Sequence, residues 1–314
     1  MTQKTVHILL NPTAGSGIAN NNFETIEHYL TAKKIDFDVT TSEFAGNMIN
    51  LARIKANQVQ NNPHELIVVI GGDGTFNQAV NGIKQSHYQE TPIAFLPSGT
   101  GNDFARAIPL EVDLERALDK ILDSPTVTKT DLGFYRDLNH NESHYFINNL
   151  GIGFDAQVVS LTNNSVLRKW LNKIYLGKFS YGINVIRTLM SQSTFEVTVR
   201  TAIRQKSFFN AYLVTTTNHP YFGGGIPLYP QANAFNKQLA TVVVEKPSLP
   251  KFIYLFYLMM KNGEHVNSEY FHVFEADKII VNSKSLQFGQ MDGEELGSRA
   301  FELEFSVDSF NLLH

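Results

Sequence analysis

The segment Leu66–Thr75, LIVVIGGDGT, ends a short apolar run in three glycines and one acid. The run has the length and composition of a buried strand in a parallel sheet. Glycines leave backbone amides free to approach a phosphate with no Cβ in the way. The Asp73 carboxylate then sits where a metal or a transferred phosphoryl group would be. Two further glycine turns, Asn11–Gly17 and Ser98–Asp103, also follow predicted strands. One such turn is ordinary βα punctuation, whereas three at the carboxyl ends of strands converge on the crevice where open α/β sheets bind ligands.

The sequence lacks G-x-x-x-x-G-K-[ST], so it is not a P-loop NTPase. No G-x-G-x-x-G with a ribose-binding acid about 20 residues later opens the first helix. The three turns carry no lysine. Phosphate charge must therefore be met by amides, helix N-termini and Mg2+. Asp73, Asp103 and Asp131 each lie just after a predicted strand and could hold a metal, directly or through water. The alternatives are that Asp103 caps a helix at Phe104 and that Asp131 caps a strand.

Repeated βα units position these turns. Strands are predicted at Val6–Leu10, Phe37–Thr41, Leu66–Ile70 and Ile93–Leu96. Helices are predicted after Phe23, over Met48–Val59, Phe76–Ile83 and Val112–Leu122. Near Asp131 the pattern becomes strand after strand, with alternation in Phe195-x-Val197-x-Val199 and Phe301-x-Leu303-x-Phe305. The fold class expected is an α/β N-terminal domain with an open, mostly parallel sheet, followed by an all-β sandwich-like C-terminal domain. The domains expected are residues 1–131, for nucleotide, and 132–304, for substrate.

The 314 residues have a net charge of −4, which gives no pointer to nucleic acid, and no cysteine, which excludes disulfides. The most apolar run, Phe252–Met260, is far shorter than the ~20 residues of a membrane span. The N-terminus has no signal-peptide pattern. A cytoplasmic protein is expected.

The motifs resemble the diacylglycerol kinase catalytic-domain family, in particular its soluble bacterial lipid kinases. NPTAGSG at 11–17, GGDGTFNQAVNGI at 71–83, PSGTGNDFARAI at 97–108 and TDLG at 130–133 carry the match. NNLGIGFDAQV at 148–158, GGGIPLYPQA at 223–232, NGEH at 262–265 and MDGEEL at 291–296 continue it. The resemblance implies ATP- and Mg2+-dependent phosphorylation of a lipid hydroxyl. Diacylglycerol is the first choice, with phosphatidylglycerol or a sphingoid base as alternatives. A phosphotransferase similar to NAD kinases is a different class, and its second substrate pocket would be polar rather than apolar.

The resemblance also implies roles. Asn11, Pro12, Thr13, Ala14 and Gly15, then Gly72, Asp73, Gly74, Thr75, Phe76, Asn77 and Gln78, and Thr100 match ATP-contacting positions; Ser42 in TSEF matches a hydroxyl near the nucleotide. Asp73, Asp103 and Asp131 match the acids around the reacting phosphate. Glu294 matches the general base and Asp292 its neighbour. Read from the residues alone, Asp292-Gly293 is equally a hairpin turn with solvated acids, and Glu295 is the base if the register slips. The tail, residues 305–314, is expected to return to the first domain.

Where the family has an Asp-Gly pair after P-x-A, this chain has Asn236 and Lys237. Loss of acidic oxygens and an added cation predict that the structural metal site there is absent or weakened. Between Ala156 and Phe195 there is no acid, but Arg168, Lys169, Lys173, Lys178 and Arg187 are interleaved with Trp170 and aliphatics. That pattern suits reversible, peripheral contact with an anionic membrane, the inner face for a cytoplasmic protein, or a helix with an apolar core side and solvated lysines. A homodimer is left open. His219 and His265 lack a catalytic partner pattern and are read as structural.

Overall fold

The computed structural model describes residues 4–108, 110–153 and 193–314. The basic segment with Arg168, Lys169, Trp170, Lys173, Lys178 and Arg187 lies outside them.

The first part of the chain alternates strands and helices. β1 (Thr5–Leu10), α1 (Ile18–Ala32), β2 (Asp36–Thr41), α2 (Asn47–Val59), β3 (Glu65–Gly71), α3 (Asp73–Lys84) and β4 (Ile93–Pro97) follow in order. β2, β1, β3 and β4 lie side by side and all pair in parallel. The run in β3 is apolar throughout because helices cover both of its faces. Ile67 and Val69 pack with Phe76, Val80 and Ala52 on one face. Leu66, Val68 and Ile70 pack with Ile26, Leu30, Leu118 and Ile121 on the other.

α3 begins at Asp73, three residues earlier than the apolar spacing suggests, because Gly72 stays extended and serves as its N-cap. After the short α4 (Asp103–Ala107), α5 (Leu114–Asp123) starts where the Asp113 carboxylate accepts the Arg116 N–H at 2.9 Å. That cap delays the helix expected from Val112.

The rest is antiparallel and built on the same sheet. β5 (Val127–Asp137), β6 (Glu142–Phe146), β7 (Asn149–Gly153), β8 (Phe195–Arg200) and β9 (Gln205–Thr217) lead to a small hairpin of β10 (Tyr221–Phe222) and β11 (Ile226–Pro227). β12 (Leu239–Glu245), α6 (Leu249–Lys261), β13 (Phe271–Ala276), β14 (Lys278–Met291) and β15 (Glu294–Leu313) complete the chain. The β-rich part follows the α/β part as expected, and its sheet runs on into the first: β7, β14 and β15 connect β9 to β4. Among the described residues, parallel pairing is confined to β1–β4 and the end of β15, where Leu312 and Leu313 register with Ile93 and Ala94. After β13 ends at Ala276, the long β14 runs over Lys278–Met291.

β15 crosses the whole molecule. Phe301, Leu303 and Phe305 sit in the core of the antiparallel part. Phe310 and Leu312 sit in the core around α3. Phe310 is almost fully buried, with its ring 5.8 Å from Phe76 and 6.1 Å from Phe104. Truncating it leaves a cavity at the junction. Phe310→Ala is expected to lower the unfolding free energy by ~3–5 kcal/mol in denaturant titration.

Candidate active site

Three backbone turns close on one another at the carboxyl ends of β1, β3 and β4. Asn11 stands at the end of β1. Its Nδ2 donates to Thr75 Oγ1 at 2.9 Å, and its Oδ1 accepts the Thr13 N–H and hydroxyl. Gly15 has φ +61°, and a Cβ there would fall 2.3 Å from the Ser98 carbonyl oxygen. A Cβ on Gly99 would fall 2.8 Å from Gly72 Cα. The turns touch backbone to backbone, so only glycine fits at these two positions. The Ser98 N–H donates to the Gly71 carbonyl at 2.6 Å and ties the second turn to the third.

They border a cleft of about 550 Å³. Asn11, Thr13, Ala14, Gly15, Ser42, Gly72, Asp73, Gly74, Thr75, Gln78 and Thr100, which the resemblance matches to nucleotide-contacting positions, all line it. Asp292 and Glu294 line the same cleft from the other half of the chain. Pro12 is not part of its wall. Phe76 cannot be: it is fully buried and stacks on Phe95 at 4.3 Å. Asn77 is also buried and faces away, accepting from Asn81 Nδ2 at 3.1 Å. The match over 72–78 treats the stretch as continuous, but α3 begins within it and turns alternate side chains inward.

The Ser98–Asp103 turn also brings Gly99 and Gly101 to the wall, whereas sequence reasoning missed Glu43, Phe44, Ala45 and Met48, which line it too. Phe44 is 67% exposed, a large aromatic in open solvent directly after β2. Its place beside Ser42 at a strand's carboxyl end was the available signal.

The acids divide into three settings. Asp73 Oδ2 accepts the Asp103 N–H at 2.9 Å, and Asp103 Oδ2 accepts the Gly224 N–H at 2.8 Å. The other oxygen of each, Asp73 Oδ1 and Asp103 Oδ1, is buried with no hydrogen-bond partner. Two unpartnered carboxylate oxygens beside a glycine-lined cleft suit a hard divalent cation. Burial pushes the Asp73 pKa up to about 6. The Asp103 N–H opposes that shift, the Asp103 charge adds to it, and the Arg106 guanidinium opposes it. Asp103 is no N-cap; Asn102, in the left-handed region, precedes α4.

Asp131 belongs elsewhere. It does not line the cleft; its Oδ2 accepts the Lys237 N–H at 2.6 Å, and burial raises its pKa. Among the described residues no three His, Asp or Glu side chains gather to hold a metal. The expected trio therefore resolves into an Asp73–Asp103 pair and an acid engaged with the 233–237 turn. In that turn Asn233 Oδ1 accepts the Phe235 N–H and Asn236 Oδ1 the Gln238 N–H.

The Asp292-Gly293 turn joins β14 to β15, with both residues at positive φ, +48° and +84°. It is a tight hairpin of the Asp-Gly type. Its acids are not equivalent. The Asp292 carboxylate accepts the N–H groups of Ile147, Asn148 and Asn149 at 2.9, 3.0 and 2.9 Å. Burial pushes its pKa up to about 7; those amides pull it down, and the Asp73 charge pushes it up. Gln290 Oε1 accepts the Gly293 N–H, and Gln290 Nε2 donates to Asn149 Oδ1. Glu294, in contrast, is exposed, and its Oε1 accepts from Gln78 Nε2 at 3.0 Å. Glu295 does not line this cleft. His219 is buried, with Nε2 2.6 Å from Asn148 Oδ1, and burial holds its pKa down at about 3. It supports Asn148 and is not a proton shuttle near neutrality.

A phosphate-sized glycine cradle facing acids from a second half defines a phosphotransferase. Residues 5–134 match the family model described as the diacylglycerol kinase catalytic domain. Residues 148–314 match the YegS C-terminal NAD kinase beta sandwich-like domain. The chain belongs to the diacylglycerol kinase catalytic-domain family, and it is a lipid-kinase-like enzyme.

YtlR of Bacillus subtilis (strain 168), whose lipid-kinase name is itself provisional, is 29% identical over 95% of this chain and 96% of its own. The diacylglycerol kinase of Staphylococcus carnosus (strain TM300) is 28% identical over 93% of this chain and 89% of its own. A Bacillus anthracis (strain Sterne) crystal structure, provisionally described as a diacylglycerol kinase, superposes with a TM-score of 0.72. At 23% identity, covering 99% of this chain and 96% of that one, it supports the fold alone.

Asp73 gives a testable consequence. Its pKa is raised in the folded state, so the native chain binds the proton more tightly than the unfolded one. Stability therefore falls as pH rises from about 4 to about 6, and the ionised carboxylate is a native-state cost above that. Asp73→Asn is expected to stabilise the protein by about 1–3 kcal/mol at pH 7.5. Denaturant titration should find the gain shrinking at pH 5 and gone below pH of about 4.

Proposed function

We propose that this kinase transfers the terminal phosphoryl group of ATP to the hydroxyl of diacylglycerol, giving phosphatidic acid and ADP. One observation carries the reading: Glu294 lines the same cleft as Asp73 and the glycine turns. In this reading the turns take the triphosphate and the N-terminus of α3 adds its positive dipole end. Asp73 and Asp103, each with one buried unpartnered oxygen, would hold Mg2+, which would supply charge neutralisation. Asp131 acts at one remove, through water or the 233–237 turn. The lipid oxygen forms the new bond to phosphorus, the bond to ADP breaks, and Glu294 accepts the hydroxyl proton. Asp292 positions Glu294 by fixing the hairpin. Most of the rate comes from alignment and charge neutralisation.

The acceptor is read as a lipid because of a second cavity. It measures about 330 Å³ and is walled by Phe222, Ile226, Leu228, Val244, Met259 and Phe271, among other residues, nearly all apolar. Phe222 and Ile226 face each other in the β10–β11 hairpin, and Gly224 at its tip donates to Asp103. An apolar cavity thus shares one hairpin with the phosphate-facing acids, which favours an acyl chain over a second nucleotide. No helix among the described residues is long and apolar enough to cross a membrane.

The test is ATP turnover against diacylglycerol, phosphatidylglycerol, a sphingoid base and NAD in mixed micelles. Glu294→Ala is expected to lose ~10²-fold or more in kcat with diacylglycerol. Near-normal turnover in that variant rejects the base assignment, and preference for NAD rejects the lipid.

A further inference from the structure

α6 reads Leu-Pro-Lys-Phe-Ile-Tyr-Leu-Phe-Tyr-Leu-Met-Met-Lys, and none of its thirteen residues is buried. Its inner side, with Phe252, Leu255 and Met259, lines the apolar cavity. Its outer side carries Leu249, Ile253, Tyr257 and Met260, between 53% and 61% exposed. These positions follow at intervals of four, four and three, which puts them in one stripe. An isolated exposed Leu needs no explanation, whereas a full stripe of them does.

The helix spans about 20 Å, too short to cross a bilayer core of about 30 Å. It contains no acid, and its two cations stand near its ends. Lys251 Nζ lies 5.8 Å from the Tyr254 ring centroid and Lys261 Nζ 5.4 Å from that of Tyr257. Glu264 and Glu269 lie off the stripe, in a groove with Leu255 and Leu258 that Lys251 shares. Aliphatic side chains flanked by tyrosines and lysines have the composition of an interfacial helix, with rings and ammonium groups at headgroup level.

The geometry points to the outer stripe of α6 as the surface that lies in the plane of an anionic lipid bilayer, directly over the apolar cavity. The occupant is a lipid leaflet, for two reasons on this surface: the lysines complement anionic headgroups, and the helix that lies on the leaflet also walls the cavity that takes the lipid. The choice of occupant rests on the lipid-kinase reading, but the test reads binding rather than turnover.

The full-length protein is sedimented with phosphatidylcholine vesicles, with and without phosphatidylglycerol, as wild type and as Ile253→Glu/Met260→Glu. Neither residue lines either cavity. Wild type is expected to bind, more strongly with phosphatidylglycerol. The variant is expected to lose about tenfold or more of its vesicle affinity, with ATP turnover on a monomeric short-chain diacylglycerol unchanged. A second variant, Ile253→Trp, reports insertion by a blue shift of fluorescence over the parent chain, whose one tryptophan is Trp170.

Unchanged sedimentation of the double variant, absence of wild-type binding, or no shift at Ile253→Trp overturns the inference. So does a wild-type dimer that the double variant dissociates without changing vesicle binding, which would make the stripe a contact between two copies. Vesicle binding lost in the double variant, with no turnover of any lipid by wild type, keeps the membrane face and refutes the lipid-kinase reading.

Discussion

The register of β15 is the constraint on which the site depends. Its first residue, Glu294, borders the cleft, and its last, Leu313, pairs beside β4 in the N-terminal sheet. Between them β15 pairs with β5 continuously from Leu303–Asp137 to Leu313–Val127. A one-residue slip in a strand exchanges its two faces. Such a slip would expel Phe310 and Leu312 from the core around α3 and Phe301, Leu303 and Phe305 from the other core at once. Two cores therefore fix one register, and that register decides which side of the hairpin Glu294 occupies. The three amides on Asp292 then hold the turn against the β6–β7 connection. Glu294 is presented by hydrogen-bonded sheet rather than by a free loop, which suits a group whose reach to a reacting atom must be reproducible.

The charges around the cleft are arranged against stability. Asp73 stands at the first position of α3, where the helix dipole favours an anion, yet burial raises its pKa. Asp292 raises the same problem from the opposite side and feels the Asp73 charge. Arg106 contributes opposing charge but donates to the Gly101 carbonyl rather than to either acid. With no lysine in the glycine turns, excess negative charge remains where nucleotide phosphates would add more. In the proposed reaction a bound cation would offset this charge on the acids and on the nucleotide alike.

Much of this was legible in the sequence because the relevant signals are local. A buried parallel strand ending in glycines declares itself by composition, and the Asp-Gly pair after an alternating run declares a hairpin. What could not be read are features set by long-range packing. Phe76 and Asn77 sit in a motif whose neighbours line the cleft, but helical rotation sends them into the core and toward Asn81. Asp131 was expected just after a strand, like Asp73 and Asp103, but it lies inside β5, and the 233–237 turn, a hundred residues away, claims its carboxylate. Alternation in one strand shows which residues face inward but not which sheet it joins. The join is made by β14 and β15, whose length was hidden by the irregular register between Ser283 and Gln287. Phe44 was passed over because its role depends on β2 lying beside β1.

One small hairpin separates the two chemistries that a lipid kinase must bring together. The chain from Tyr221 to Pro227 turns through three consecutive glycines at positive φ, and such a turn brings a bare amide, Gly224 N–H, to Asp103. On its flanks Phe222 and Ile226 pair across the strands and wall the apolar cavity. A Cβ on Gly224 would meet nothing within 4 Å, so the constraint at the tip is its φ of +93°, which favours glycine; a polar residue on either flank would bring water into the cavity. The β-rich half is described in the same terms as that of NAD kinases, so the scaffold alone does not select the acceptor. In the proposed reading, selection falls to the side chains that flank the Gly224 amide. In this chain those side chains are apolar, and the helix above them is apolar on both of its sides.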